Sequence, residues 1–67
     1  MNKYRYKGPV YKFDKYLEDS GVIETMAPTK KKAKSNIEFR LKQRLNLTKD
    51  TKISIHYDKI MLIENDE

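Results

Sequence analysis

One apolar stripe constrains the fold of this chain more than any other feature of its sequence. Four apolar residues recur at a strict four-residue spacing, which places their side chains on one face of an α-helix: Ala33, Ile37, Leu41 and Leu45. Thr29 is an acceptable residue for the N-terminal cap of such a helix, and Asn46 suits its C-terminal cap. The sequence therefore predicts one helix from about residue 30 to about residue 45, with Leu47 packing just beyond its end.

The residues before this helix alternate in character, as half-buried strands do. Four aromatic residues alternate with other residues on either side of Gly8-Pro9: Tyr4, Tyr6, Tyr11 and Phe13. Their positions change from even to odd numbers across Gly8-Pro9, so a bulge there would place all four rings on one face. We predict a strand from Tyr4 to Leu17 that lies at a sheet edge or bends at Pro9, because proline lacks a ladder donor.

The remaining segments complete a small mixed fold. Glu18-Asp19-Ser20-Gly21 has the composition of a turn, so Val22 to Ala27 is predicted to pair antiparallel with the first strand. Thr51 to His56 alternates again, and Ile60 to Ile63 is apolar, with a candidate turn between them; they form two short strands or one kinked strand. The predicted class is α+β: an antiparallel sheet of three or four strands with one helix packed on one face, ββαβ or ββαββ.

The length of the chain limits both its organisation and its chemistry. Its 67 residues predict one domain, 1-67, with residues 64-67 as a frayed tail. A chain this short leaves little room for a supported catalytic cleft, so we expect no enzyme. It has no cysteine and one histidine, His56, so we expect no metal and no cofactor. No apolar run approaches the roughly 20 residues that span a bilayer, and no signal-peptide pattern is present, so we expect a cytoplasmic protein without membrane contact.

Positive charge is concentrated on the predicted helix. Thr29 to Asn46 holds seven basic residues and one acidic residue, a net charge of +6, whereas the rest, with eight basic and nine acidic residues, carries −1. We expect phosphate contacts from the helix residues Lys30, Lys31, Lys32, Lys34, Lys42 and Arg44. Cations in a first helical turn are unfavourable by roughly 0.3–1 kcal/mol each, whereas backbone N–H groups there favour an anion. Thr29 to Lys34 is therefore a candidate phosphate site, and a solvated lysine run is the alternative.

Two further features bear on a nucleic-acid partner. The first strand carries a second candidate basic patch: Lys3, Arg5, Lys7 and Lys12. These residues would lie along a nucleic-acid backbone if they face solvent, or the aromatic residues of the strand would form a stacking platform instead. A solvated outer face is the simpler interpretation. Phe39 lies outside the apolar stripe near Lys32 and Lys42, where it would stack on a base, cover the rim of the core or contact a second copy.

Several short segments, taken in order, carry a likeness to other proteins. They are Gly8-Pro9-Val10-Tyr11-Lys12-Phe13, Thr25-Met26-Ala27-Pro28-Thr29, Lys32-Ala33-Lys34-Ser35-Asn36-Ile37, Arg40-Leu41-Lys42, Lys52-Ile53-Ser54-Ile55 and Lys59-Ile60. Together they resemble a group of small uncharacterised proteins encoded by phages and mobile elements of Gram-positive bacteria. Asp58 stands where that group often has glycine. The resemblance implies a genomic setting and no particular activity.

These observations lead to one hypothesis and one alternative. The hypothesis is a small non-catalytic nucleic-acid-binding accessory protein whose basic helix contacts the phosphate backbone of DNA or RNA. The alternative is a protein–protein interaction module or homodimer, with an acidic protein as partner. Such a protein would pair an edge strand with its partner, or dimerise through Phe39 and the sheet.

Overall fold

The computed structural model describes residues 1–48 and 50–65. Its elements follow in the order β1 (Asn2–Tyr6), β2 (Pro9–Lys12), β3 (Lys15–Asp19), β4 (Ile23–Ala27), α1 (Lys30–Arg44), β5 (Ile53–Ile55) and β6 (Ile60–Asn65). A 3-10 turn at Tyr57–Lys59 joins the last two strands. The predicted α+β class is confirmed, but the prediction of three or four strands in one sheet is wrong, since the described residues form six strands in two sheets.

The two sheets share one arrangement. In the first sheet β1 lies between β4 and β6, and in the second β2 lies between β3 and β5, with every pairing antiparallel. The strands follow one another in the chain as three pairs: β1 with β2, β3 with β4, and β5 with β6. Each pair is one nearly continuous stretch of chain that contributes one strand to each sheet. Each stretch is broken once, between the first sheet and the second.

Two of the three breaks fall where the sequence weakens a strand. Pro9 has no N–H to donate to a ladder, and Gly21 adopts a φ of 70°, which glycine tolerates best. Two of the breaks are joined directly: the Ser20 N–H donates to the Gly8 carbonyl at 2.8 Å, and the Gly8 N–H donates to Ser20 Oγ at 3.2 Å. The sequence marks these residues as turns, but it does not show that they meet in space and divide one sheet into two.

The first hairpin turns at Phe13-Asp14, so the predicted turn at Glu18-Asp19-Ser20-Gly21 is wrong. Lys12 at the end of β2 pairs with Lys15 at the start of β3, which leaves a two-residue turn. Phe13 has a φ of 49° and Asp14 a φ of 68°, and two positive φ values are the mark of a type I′ turn. Such turns favour Asn-Gly, so the sequence Phe13-Asp14 does not predict one.

The four aromatic rings do not share a face, contrary to prediction. Tyr4 and Tyr6 are buried, and beyond the bend the next buried side chain is Val10, again at an even-numbered position. Tyr11 is half-buried on the opposite face of β2, and Phe13 is exposed in the turn. The register of β2 against β3 shifts between Val10 and Tyr11 rather than at the predicted position. Tyr11 and Phe13 in the first hairpin are therefore turned away from the core.

The helix begins as the sequence predicts. α1 spans Lys30–Arg44, and the stripe residues Ala33, Ile37 and Leu41 are fully buried. Thr29 is its N-terminal cap, because the Lys32 N–H donates to Thr29 Oγ1 at 3.2 Å.

The C-terminal end of the helix also follows the prediction. Asn46 has a φ of 57°, and its N–H donates to the Gln43 carbonyl at 3.2 Å. The Leu47 N–H donates to the Lys42 carbonyl at 2.9 Å. These two bonds form a Schellman motif, and Leu47 packs against the core as expected.

The core lies between the helix and one face of each sheet. Its buried residues come from every element except β3: Tyr4, Tyr6, Val10, Ile23, Ala27, Ala33, Ile37, Leu41, Ile53, Ile55 and Ile60. Of the predicted frayed tail, Glu64 and Asn65 belong to β6, and residues 66 and 67 lie outside the described residues. The outer face of the helix and the free end of the first hairpin are left to solvent.

Candidate nucleic-acid interface

Half of the predicted helix cations have partners within the protein. Lys34 Nζ lies 3.0 Å from Glu38 Oε2, one helical turn away. Arg44 Nη2 lies 3.7 Å from Glu18 Oε2 on β3. Lys30 Nζ lies over the ring of Tyr57, 4.6 Å from its centre, as in a cation–π contact.

The other three helix cations face outward. Lys31 and Lys32 are exposed and Lys42 is half-buried. Among the described residues, none of the three has a carboxylate oxygen within 4.0 Å. Phe39 lies on the same side of the helix and is 61% exposed; with Lys42 and Leu47 it lines one depression. We call Lys31, Lys32, Phe39 and Lys42 the outer helix face.

The structure does not gather the first-turn lysines at one phosphate site. Lys30 extends to Tyr57, whereas Lys31 and Lys32 point to solvent. The Lys32 N–H is already used by the Thr29 cap. The outward lysines therefore form a surface along the helix, and not a pocket at its N-terminus.

The predicted strand patch is divided in the same way. Glu24 on β4 binds two of its members, with 3.4 Å between Lys3 Nζ and Oε1 and 2.6 Å between Arg5 Nη2 and Oε2. Lys7 is exposed and Lys12 is half-buried, and neither has a carboxylate partner in the part of the chain that the structure describes. The pairing of Glu24 crosses from β4 to β1, which explains why the sequence alone did not reveal it.

Glu24 makes the stability of the protein depend on pH in the acid range. The hydrogen bond from Arg5, with the charge of Lys3 beside it, holds the pKa of the Glu24 carboxyl below its ordinary value. A lowered pKa in the folded state adds stability above the unfolded pKa of about 4.3, and that stability is lost as the pH falls through the folded pKa. Between about pH 5 and pH 3, urea unfolding should show a larger loss of stability for the wild type than for Glu24→Gln. Equal losses would show that this ion pair has no effect on folding.

An exposed apolar surface covers the end of the first hairpin. Tyr16 is 60% exposed and Phe13 is 56% exposed, and Leu17 beside them is also exposed. With Lys12 and Lys15 these residues line one shallow depression. We call these five residues the hairpin end. Sequence reasoning included Lys12 in the candidate site but missed the others, because the turn was placed too late in the chain.

Neighbouring rings hold Tyr16 in position from one side. The ring of Tyr11 meets it edge-on, with 6.2 Å between centres and 77° between planes. His56 fixes Tyr11 in turn: its Nε2 lies 3.2 Å from the Tyr11 hydroxyl, and the two rings are 5.3 Å apart. Desolvation and the nearby Asp19 carboxylate raise the pKa of Tyr16. Tyr16 therefore presents a neutral ring at the pH of a cell.

The hairpin end also carries positive charge. Lys12 and Lys15 are directly opposite each other across the last rung of the hairpin, an arrangement that like charges disfavour. The Phe13 N–H donates to the Lys52 carbonyl at 3.1 Å, which brings a third lysine to this end of the sheet. Asp14 in the turn is the one acidic residue between Lys12 and Lys15. The lysines here have no carboxylate within 4.0 Å among the residues described.

The described residues hold neither a cluster of metal ligands nor a helix that could cross a membrane. No group of three or more His, Cys, Asp or Glu side chains is arranged in residues 1–48 and 50–65 to hold a metal ion. In the same ranges, no helix is both long enough and apolar enough to cross a membrane.

Known proteins give no further guide to the site. Comparison with models of protein families, with curated protein sequences and with solved structures finds no match to this chain. The resemblance to proteins of phages and mobile elements therefore stays a prediction.

Proposed function

We propose that this protein is a small non-catalytic nucleic-acid-binding protein. Its phosphate contacts come from the outer helix face and the hairpin end. The observation that carries the proposal is the division of the cations into two sets. Glu18, Glu24 and Glu38 bind cations of β1 and of the helix flanks, whereas the outward lysines have no such partner among the described residues.

A polyanion would supply negatively charged partners for these lysines. Each lysine that neutralises a phosphate releases a condensed counterion, so several dispersed lysines together bind a nucleic acid tightly at low salt. Contacts of this kind hold the backbone and read no base sequence. The chain has a net charge of +5, which also favours the first encounter with a polyanion. We therefore expect weak sequence preference and strong dependence on salt.

Neutralising the outward lysines should flatten that salt dependence. We expect Lys31→Gln with Lys32→Gln to lower the slope of log K against log salt by about 1.4, because each lost contact to a single strand removes about 0.7. The slope is measured by fluorescence anisotropy with a labelled single-stranded oligonucleotide between about 50 and 200 mM salt.

The matched control removes the same charge from paired cations. Lys3→Gln with Lys34→Gln neutralises two lysines that bind Glu24 and Glu38, and it should change the slope by less than half as much. Equal slope changes in the two double variants would show that net charge alone matters and that the outer helix face is not the contact surface.

The alternative partner is an acidic protein or a second copy of the chain. Met26 on β4 and Met61 on β6 are exposed apolar residues on the two edge strands of the first sheet, and an edge strand can pair with a partner. A dimer in size-exclusion chromatography, with no retention on DNA at physiological salt, would favour this alternative over nucleic-acid binding.

A further inference from the structure

We propose that the hairpin end holds unpaired bases of a single-stranded nucleic acid, which stack on Phe13 and Tyr16. This inference rests on the proposed function and makes it more specific, since it names single-stranded DNA or RNA as the ligand. Three features of the hairpin end support it, and the first two of them are unfavourable for a protein that only has to fold.

The first feature is the backbone of Phe13. Its φ of 49° lies in the left-handed region, which a bulky side chain enters only at a cost in stability. Burial does not offset this cost, because the ring is 56% exposed. Asparagine or glycine would suit this position of a type I′ turn better. Folding alone does not account for phenylalanine here, and strained residues tend to occur at functional sites.

The second feature is the charge around the ring. Lys12 and Lys15 are cross-strand neighbours on either side of the turn, where opposite charges would stabilise the hairpin and like charges do not. The backbone of a third lysine, Lys52, bonds to that of Phe13. An occupant that carries several negative charges along its length removes this repulsion, whereas an apolar occupant does not.

The third feature is the exposure of a second ring that its neighbours position. Tyr16 is 60% exposed, and the edge-on contact with Tyr11 restricts its orientation before any ligand arrives. Positioning of this kind lowers the entropy lost on binding. Rings that face solvent beside lysines match the sites of proteins that bind single strands, where bases stack on aromatic side chains and cations follow the phosphates.

Duplex DNA cannot use this surface in the same way. Its bases already stack on one another, so their faces are closed to Phe13 and Tyr16, and only the lysines would contact its backbone. A single strand has open base faces and phosphates together. The hairpin end therefore favours single strands over duplexes, while the outer helix face contacts either one.

Phe13→Asn separates the binding role of the ring from its effect on folding. Asparagine tolerates the left-handed conformation, so the midpoint of thermal unfolding should rise by about 4 °C or more. The affinity for an oligothymidine of about 15 nucleotides should fall about tenfold, because one stacking contact is lost. Affinity for a duplex of the same length should stay within about twofold of the wild type.

Asp14→Gly is the matched control. Glycine also suits this turn, so the thermal midpoint should rise as in Phe13→Asn, but the ring of Phe13 remains. Its affinity for oligothymidine should equal or slightly exceed that of the wild type, since one negative charge is removed. Tyr16→Ser provides a second test at an exposed position outside the turn, and we expect about a tenfold loss of oligothymidine binding.

The outcomes distinguish this inference from the proposed function. If the wild type binds oligothymidine and duplex equally, or if Phe13→Asn weakens both equally or neither, base stacking at the hairpin end is wrong while nucleic-acid binding stands. If the wild type binds neither probe at low salt, both proposals are wrong.

Discussion

Ile37→Ala is expected to leave the protein largely unfolded at physiological temperature. Ile37 is completely buried in the middle of the helix stripe, and truncation of a buried isoleucine to alanine costs about 2–5 kcal/mol. A single small core supplies no more than about 3–5 kcal/mol in total. The loss is thus comparable with the whole stability of the domain. Circular dichroism at 222 nm during thermal and urea unfolding measures it.

Phe39→Ala is the control for this prediction. It removes an even larger side chain from the same helix, but from the outer helix face, where the ring is mostly exposed. Its effect on stability should stay within about 0.5 kcal/mol. Similar destabilisation by Ile37→Ala and Phe39→Ala would show that the helix does not pack on the sheets through the face described above.

Tyr6→Phe is expected to destabilise the protein by about 1–3 kcal/mol, since it leaves buried groups without a partner. The Tyr6 hydroxyl donates to the Pro9 carbonyl at 2.5 Å and accepts from the His56 N–H at 3.2 Å. One oxygen atom thereby joins the break between β1 and β2 to the start of the 3-10 turn. Burial raises the pKa of Tyr6, so the hydroxyl keeps its proton at neutral pH. The free energy of unfolding in urea measures the effect.

Tyr4→Phe is the matched control on the same strand. Tyr4 is also buried, but among the residues that the structure describes its hydroxyl makes one long contact, 3.4 Å from Asn2 Nδ2. We expect it to cost well under 1 kcal/mol. Equal effects of the two substitutions would mean that the hydroxyl of Tyr6 does not stabilise the bend between the sheets.

This bend connects folding to the candidate interface. The second sheet carries the hairpin end, and the helix packs chiefly on the first sheet. The bonds at Tyr6, Gly8 and Ser20 therefore fix the direction in which the hairpin end projects. The elongated shape, 36 × 19 × 16 Å, follows from the two sheets being joined end to end.

The helix was predictable from the sequence because its determinants are local. The four-residue spacing, the Thr29 cap and the Asn46 cap all lie within or beside the segment that they specify. Its excess of positive charge was predictable for the same reason. Which of these cations are paired and which face outward was only partly predictable, because Arg44 on the helix is paired with Glu18 on β3.

The sheets were harder to predict because their determinants are distant in the chain. Ser20-Gly21 has stronger turn composition than Phe13-Asp14, yet it forms the break between β3 and β4, where it bonds to Gly8. The hairpin turn sits at residues that turns of this type seldom contain. The position of the turn decides which rings face solvent. Because the turn was predicted in the wrong place, the residues of the hairpin end could not be predicted either.

The central claim is that nucleic acid binds through the outer helix face and the hairpin end. A titration of the ¹⁵N-labelled protein with oligothymidine, followed by amide chemical shifts at two salt concentrations, tests it most directly. We predict that the amides of Phe13, Tyr16, Lys31 and Lys32 shift on binding and that the shifts shrink as salt rises. Shifts confined to β4 and β6 around Met26 and Met61, or no shifts at low salt, would contradict the account.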